Sequence, residues 1–138
     1  MPTTDHAAPD ARAGLPSNYR TVLGVVEQAG MGTHLSAQDI WLRARVVQPR
    51  LGFATVHRSL ARLVEIGAVM KLAVPGTSSA VYEPAGSPHA HFRCTGCGAI
   101  ADFDFAVPAE AVEALAARHH VAIDTETVTF TGRCAQCA

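Results

Sequence analysis

His89-Ala90-His91-Phe92-Arg93-Cys94-Thr95-Gly96-Cys97-Gly98 sets two histidines directly before a Cys-x-x-Cys knuckle. The histidines alternate as strand residues do, so both imidazoles point to one face and can approach one ion. In the knuckle, a two-residue gap lets both sulfurs face one cation while backbone N–H groups screen their charge. A second knuckle, Cys134 and Cys137, holds the only other cysteines of this 138-residue chain. Four thiolates in two such pairs form the ligand set of a tetrahedral zinc site, and their spacing suits a metal better than a disulfide. Met1 is followed by no apolar signal segment, which also argues against an oxidising compartment. Cys94, Cys97, Cys134 and Cys137 are therefore expected to hold structural zinc. In so short a chain such a site contributes on the order of 10 kcal/mol to folding.

Between the knuckles the period changes. Ile100 to Phe105 alternates, with Phe103 and Phe105 on one face and Asp102 and Asp104 on the other, so a carboxylate is available beside the histidines. Pro108 opens a helix whose Val112, Leu115 and Ala116 are expected to face inward. Glu126 to Thr131 reads as a strand with Val128 and Phe130 on one side. His119 and His120, adjacent at a helix end, diverge and read as capping or surface groups. The back half is thus expected to be a small α/β domain closed by the second knuckle.

The front half reads as three helices and a hairpin. After Ser17, the residues Val22, Val25, Val26 and Ala29 make one apolar stripe, and Gly30 supplies a stop. Ser36 and Asp39 resemble a capping box ahead of Ala37, Ile40, Trp41 and Ala44. Pro49 and Gly52 break the chain, after which Val56, Leu60, Leu63 and Val64 form a third stripe ending at Gly67. Its other side is expected to carry Thr55, Arg58, Ser59 and Arg62, with His57 flanking. Ala68 to Val74 and Ala80 to Tyr82 read as strands joined by a turn over residues 75–79, long enough to be a wing. Three helices and a hairpin make a winged helix-turn-helix. In that geometry the third helix enters the DNA major groove, and Arg58 and Arg62, one turn apart, can reach base edges or phosphates.

Composition agrees with this division. Length and apolar content allow one or two small domains with cores. No apolar run reaches the roughly 18 residues of a membrane span, so a cytoplasmic protein without a membrane partner is expected. The net charge of −1 conceals an asymmetry: residues 1–80 carry eight Lys/Arg against five Asp/Glu, and residues 81–138 carry three against seven. A basic front and an acidic, cysteine-bearing back suggest a polyanion-binding domain joined to a metal-binding one. The expected boundaries are a loose tail over 1–14, a winged-helix domain over 15–83, a hinge over 84–88 and an α/β domain over 89–138, an α+β protein overall.

The ordered motifs Thr55-Val56-His57-Arg58-Ser59-Leu60, Tyr82-Glu83, residues 89–98 as quoted, Asp102-Phe103 and Gly132-Arg133-Cys134-Ala135-Gln136-Cys137 resemble the ferric uptake regulator family. The resemblance covers nearly the whole chain after residue 15. It implies a winged-helix domain hinged to an α/β dimerisation domain, structural zinc on the four cysteines, and a second, sensing site for a divalent metal. By the family's pattern the sensing ligands fall on His34, Glu83, His89, His91 and Asp102, a set that suits Fe(II), Mn(II) or Zn(II). Glu83 stands where zinc-sensing members often have cysteine, and peroxide-sensing members share the layout with iron. The family also implies a homodimer on an inverted-repeat operator in double-stranded DNA, with metal as corepressor.

Two departures mark the DNA side. His57 stands where the family usually has a tyrosine in Thr-Val-Tyr-Arg. The usual Gln-Arg pair of the first helix is replaced by Asn18-Tyr19-Arg20, which leaves Arg20 as the phosphate-contacting candidate. Pro88 and Ala90 occupy the places of a further metal site, which is therefore not expected. Two other classes compete. A metalloenzyme would hold a catalytic metal on His89, His91 and a carboxylate with an open water position, but no nucleophile and base pair is evident and no catalytic residue is assigned. A zinc-ribbon module binding protein or RNA would carry one metal per chain and sense nothing.

Overall fold

Val22, Val25 and Val26 recur at helical spacing and are buried along one side of α1 (Ser17–Ala29). The protein is described here from a computed structural model covering residues 14–74, 76–86, 89–124 and 126–138. Most of the expected tail therefore lies outside the described residues, as do Pro75 of the turn and Ser87 and Pro88 of the expected hinge. The chain divides into two compact units, the first ending at Gly86 and the second beginning at Ser87.

In the first unit, α1 is followed by β1 (Leu35–Ser36), α2 (Ala37–Val47), α3 (Phe53–Glu65), β2 (Val69–Ala73) and β3 (Ala80–Pro84). Ser36 caps α2 reciprocally: its hydroxyl accepts from the Asp39 N–H at 3.1 Å, and the Asp39 carboxylate accepts from the Ser36 N–H at 3.4 Å. This satisfies two of the donors that a helix start leaves open. α3 ends in a Schellman turn, with Ala68 N–H on the Leu63 carbonyl at 2.9 Å and Gly67 N–H on the Val64 carbonyl at 3.0 Å. Gly67 takes φ +77 there, a conformation that glycine adopts without steric cost. The three helices close on a core of Val22, Val26, Ile40, Ala44, Val56, Leu60 and Leu63, each at most 1% exposed. β2 and β3 form the wing hairpin, and β1 adds to β3 through Leu35↔Tyr82, giving the order β1-β3-β2, all antiparallel.

Ser59 departs from the expected outer face of α3. It is fully buried and its hydroxyl donates to the Thr55 carbonyl at 2.8 Å. A small hydroxyl can turn back onto the preceding helical turn, so it joins the core where a longer polar side chain could not.

The second unit runs β4 (Ala90–Cys94), β5 (Ile100–Phe103), α4 (Ala109–His119) and β6 (Thr129–Gly132). β4 and β5 form an antiparallel hairpin around the first knuckle, and β6 pairs parallel to β4 after the crossover through α4, giving β5-β4-β6. One sheet face is aromatic: Phe92 stacks on Phe103 at 5.3 Å, and Phe130 meets Phe103 at 5.9 Å and Phe105 at 6.0 Å. The strands are shorter than their sequence patterns, since β5 stops at Phe103 and β6 starts at Thr129. His120 closes α4 in the left-handed conformation (φ 55), consistent with a capping role. α4 buries none of its residues, so the inward packing expected for Val112, Leu115 and Ala116 is not met by this unit. Leu115 is 47% exposed.

Candidate metal centres and nucleic-acid interface

β4 ends in Cys94 and β6 runs beside it, so register alone carries the segment after Gly132 to the first knuckle. Thr95 fastens the join, its N–H and hydroxyl both donating to the Gly132 carbonyl at 2.7 and 3.1 Å. The Sγ atoms of Cys94, Cys97, Cys134 and Cys137 consequently lie within 4.8 Å of one another, and none is in a disulfide. Cys97 and Cys134 sulfurs are 3.9 Å apart. A tetrahedral zinc with Zn–S bonds of about 2.3 Å places its sulfurs roughly 3.8 Å apart, so the spacing fits.

The surroundings fit as well. Cys94 Sγ accepts N–H groups from Gly96 at 3.3 Å and from Cys97 and Cys134 at 3.4 Å. These donors, that of Cys134 foremost, pull the Cys94 thiol down to about 6. Cys137 is pushed up to about 12 by the sulfurs of Cys134 and Cys94. Four sulfurs this close resist ionising together until a cation supplies the opposing charge, which is what a zinc ion does. A Cβ on Gly96 would come within 2.9 Å of both Cβ and Sγ of Cys137, so only glycine fits inside the knuckle without a shift. Nothing in the sequence pattern marks the role of Thr95, and the only signal for Gly96 is its place between two cysteines.

By chain position the remaining expected ligands divide between the two units. In the second unit, the register His91↔Asp102 sets an imidazole across from a carboxylate, and His89, two residues earlier, shares the face. His89 Nε2 lies 3.3 Å and His91 Nε2 3.5 Å from the same Asp102 Oδ1, with the two rings 4.6 Å apart. In the first unit, the Leu35↔Tyr82 pairing sets His34 opposite Glu83, and His34 Nε2 lies 3.1 Å from Glu83 Oε2. The Glu83 side chain is 1% exposed. A carboxylate so thoroughly removed from water needs a partner of opposite charge or a strong donor. Imidazole nitrogens beside carboxylate oxygens suit a divalent transition metal, just as the thiolates suit zinc.

The outer side chains of α3 make the third cluster. Arg58 Nη2 donates to Thr55 Oγ1 at 3.2 Å, which holds its guanidinium toward the start of the helix. Arg62 pairs with Glu65 at 3.1 Å, both largely exposed. His57 is exposed and meets Phe53 edge to face at 4.7 Å, and Phe53 in turn meets Trp41 at 5.7 Å. Arg20 lies exposed on α1. The aromatic neighbours of His57 were not anticipated from sequence.

Residues 17–131 match the model of the ferric uptake regulator family. The chain belongs to that family. It is therefore a member of a family of metal-responsive transcription regulators and not an enzyme, which removes the catalytic-metal reading. The ferric uptake regulation protein of Bacillus subtilis is 31% identical over 107 residues, covering 75% of this chain and 72% of that protein. The ferric uptake regulator of Francisella tularensis, solved with iron, superposes with a TM-score of 0.70 at 22% identity over 89% of this chain and 92% of its own. A zinc uptake regulator complexed with zinc and DNA superposes at 0.61 with 30% identity, covering 88% and 81% of the two chains. These likenesses establish the α+β class, with a winged helix followed by an α/β unit carrying four cysteines.

Proposed function

We propose that this chain is a cytoplasmic, homodimeric repressor that binds an inverted-repeat operator when a divalent metal is bound, and controls genes of metal homeostasis or peroxide stress. The observation that carries the reading is the presence, in each unit, of a close imidazole–carboxylate group: His34 with the buried Glu83, and His89 and His91 with Asp102. Residues 84–88 act as the hinge between a DNA-binding and a dimerisation domain. Donors on both sides of that hinge favour the one orientation in which they converge on a shared Fe(II), Mn(II) or Zn(II) ion. Coupling of about 1–3 kcal/mol changes DNA affinity roughly 5- to 150-fold.

Dimerisation is supported by apolar surface that the second unit leaves uncovered. Phe103, Phe105, Leu115, Val121 and Phe130 are each 41–54% exposed. An apolar patch of that kind on a small unit marks an interaction surface, and a twofold dimer is the commonest way to cover one. Two copies of α3 then face two half-sites about one helical turn apart, or overlapping pairs of them, with Thr55, His57, Arg58 and Arg62 toward the groove and Arg20 toward phosphate. A cytoplasmic location accords with the absence, among the described residues, of any helix long and apolar enough to cross a membrane.

The test is His91→Ala. It should keep the zinc held by the four cysteines yet lose metal-stimulated binding to the promoter region of its own gene, titrated with Mn(II) or Zn(II) at fixed salt. A variant that responds to metal like the parent would place the sensing site elsewhere. One metal per chain and no metal response in the parent would favour the zinc-ribbon module.

A further inference from the structure

The outward side chains of α3 are held in different ways, and the difference separates their roles. Arg62 is drawn to Glu65 and must leave that carboxylate to meet DNA. Arg58 is steered by Thr55. His57 is fixed by a ladder of rings: it meets Phe53 one helical turn earlier, at 4.7 Å and 78°, and Phe53 meets Trp41 at 5.7 Å and 76°. The ladder is anchored, because Trp41 Nε1 donates to the Leu51 carbonyl at 2.9 Å and the Arg45 guanidinium lies 4.9 Å over the indole. An exposed imidazole ordinarily samples several rotamers; one braced this way has less freedom to lose when it meets a partner. Phe53 is itself 41% exposed while Trp41 packs against the core, so the ladder runs from the core out to the surface at the start of α3.

We propose that His57 is a specificity-determining residue that donates a hydrogen bond to the major-groove edge of a guanine, with Phe53 and Trp41 as its positioning residues. The inference rests on the DNA-binding reading above. The N-terminal half of a recognition helix contacts base edges, and His57 lies there. An imidazole N–H finds two adjacent acceptors, N7 and O6, on guanine. On adenine it finds N7 beside a competing amino donor, and on cytosine only a donor. Guanine therefore ranks first and cytosine last.

Selection of duplexes from a random pool by the full-length chain with Mn(II), repeated with His57→Ala, His57→Asn and Phe53→Leu, tests this. The parent should select a guanine at one position of each half-site, and replacing it by adenine should weaken binding roughly 5- to 20-fold. His57→Ala should lose the preference at that position alone. His57→Asn should switch it toward adenine, whose N6 and N7 match an amide, a change no purely structural role for His57 predicts. Phe53→Leu should weaken the guanine preference while leaving every other position as in the parent. An unchanged profile for His57→Ala, or a uniform loss across all sequences as a phosphate contact gives, overturns the proposal while DNA binding itself stands. If the parent selects no sequence, the DNA-binding reading falls and this inference with it.

Discussion

The two units bury their apolar residues to very different degrees. The first encloses Val22, Ile40, Val56, Leu60 and Leu63 completely, whereas among the described residues of the second only Ala90 and Cys94 are buried apolar side chains. A unit of about fifty residues with so little interior cannot rest on the hydrophobic effect alone, and the usual remedies are metals, disulfides or oligomerisation. Here the thiolate cluster supplies one remedy and the uncovered aromatic face invites another. The first unit encloses its own core; the second does not.

The largest effect should come from taking the staple out of the second unit. Cys94→Ser or Cys137→Ser should lose tightly held zinc and unfold or monomerise that unit, a loss on the order of 10 kcal/mol, while the helices of the first unit persist. Zinc analysis with circular dichroism reads both. Retention of fold and dimer after complete zinc loss would contradict the contrast at its root. Next in size, Leu60→Ala opens a cavity in the first unit and should cost about 2–5 kcal/mol. Denaturant unfolding should show the first unit weakened with the zinc content intact; zinc lost along with it would mean that the units are not independent. Smallest, Ser36→Ala removes one side of the cap on α2 and should cost about 1 kcal/mol, visible as a modest drop in the same unfolding midpoint. No change would mean that Asp39 or water satisfies the helix start unaided.

The same contrast explains what could be read in advance. Residues 22, 25 and 26, the Ser36–Asp39 cap and the stripe through Val56, Leu60 and Leu63 obey local rules, and the helices lie where those rules put them. β1 has no sequence signal because two residues carry no period; it is a strand only by virtue of β3 beside it. A hydroxyl counts as polar, so the pattern points Ser59 outward, yet its bond to the Thr55 carbonyl lets it pass as a small core residue. In α4 the stripe of Val112, Leu115 and Ala116 announces a face that needs cover and says nothing about which surface provides it. The cysteine spacing foretold the thiolate cluster. The role of Gly96 is not legible in the sequence because it depends on Cys137, which comes within 2.9 Å of its missing Cβ only in the folded unit.

The second unit's dependence on distant sulfurs also imposes an order in time. Cys134 lies 40 residues beyond Cys94. At about 5–20 residues per second, a growing chain presents the first knuckle for some seconds before the second exists. Over that interval Cys94 and Cys97 are a bare dithiol, open to oxidants and to any thiophilic ion. The parallel pairing of β4 with β6 waits for the same stretch, so the β4–β5 hairpin can form first but the three-stranded sheet and the four-cysteine cluster are completed only at the end. The winged helix, by contrast, has every one of its core residues in hand by Tyr82. Synthesis therefore completes the winged helix before the four-cysteine unit has all of its ligands.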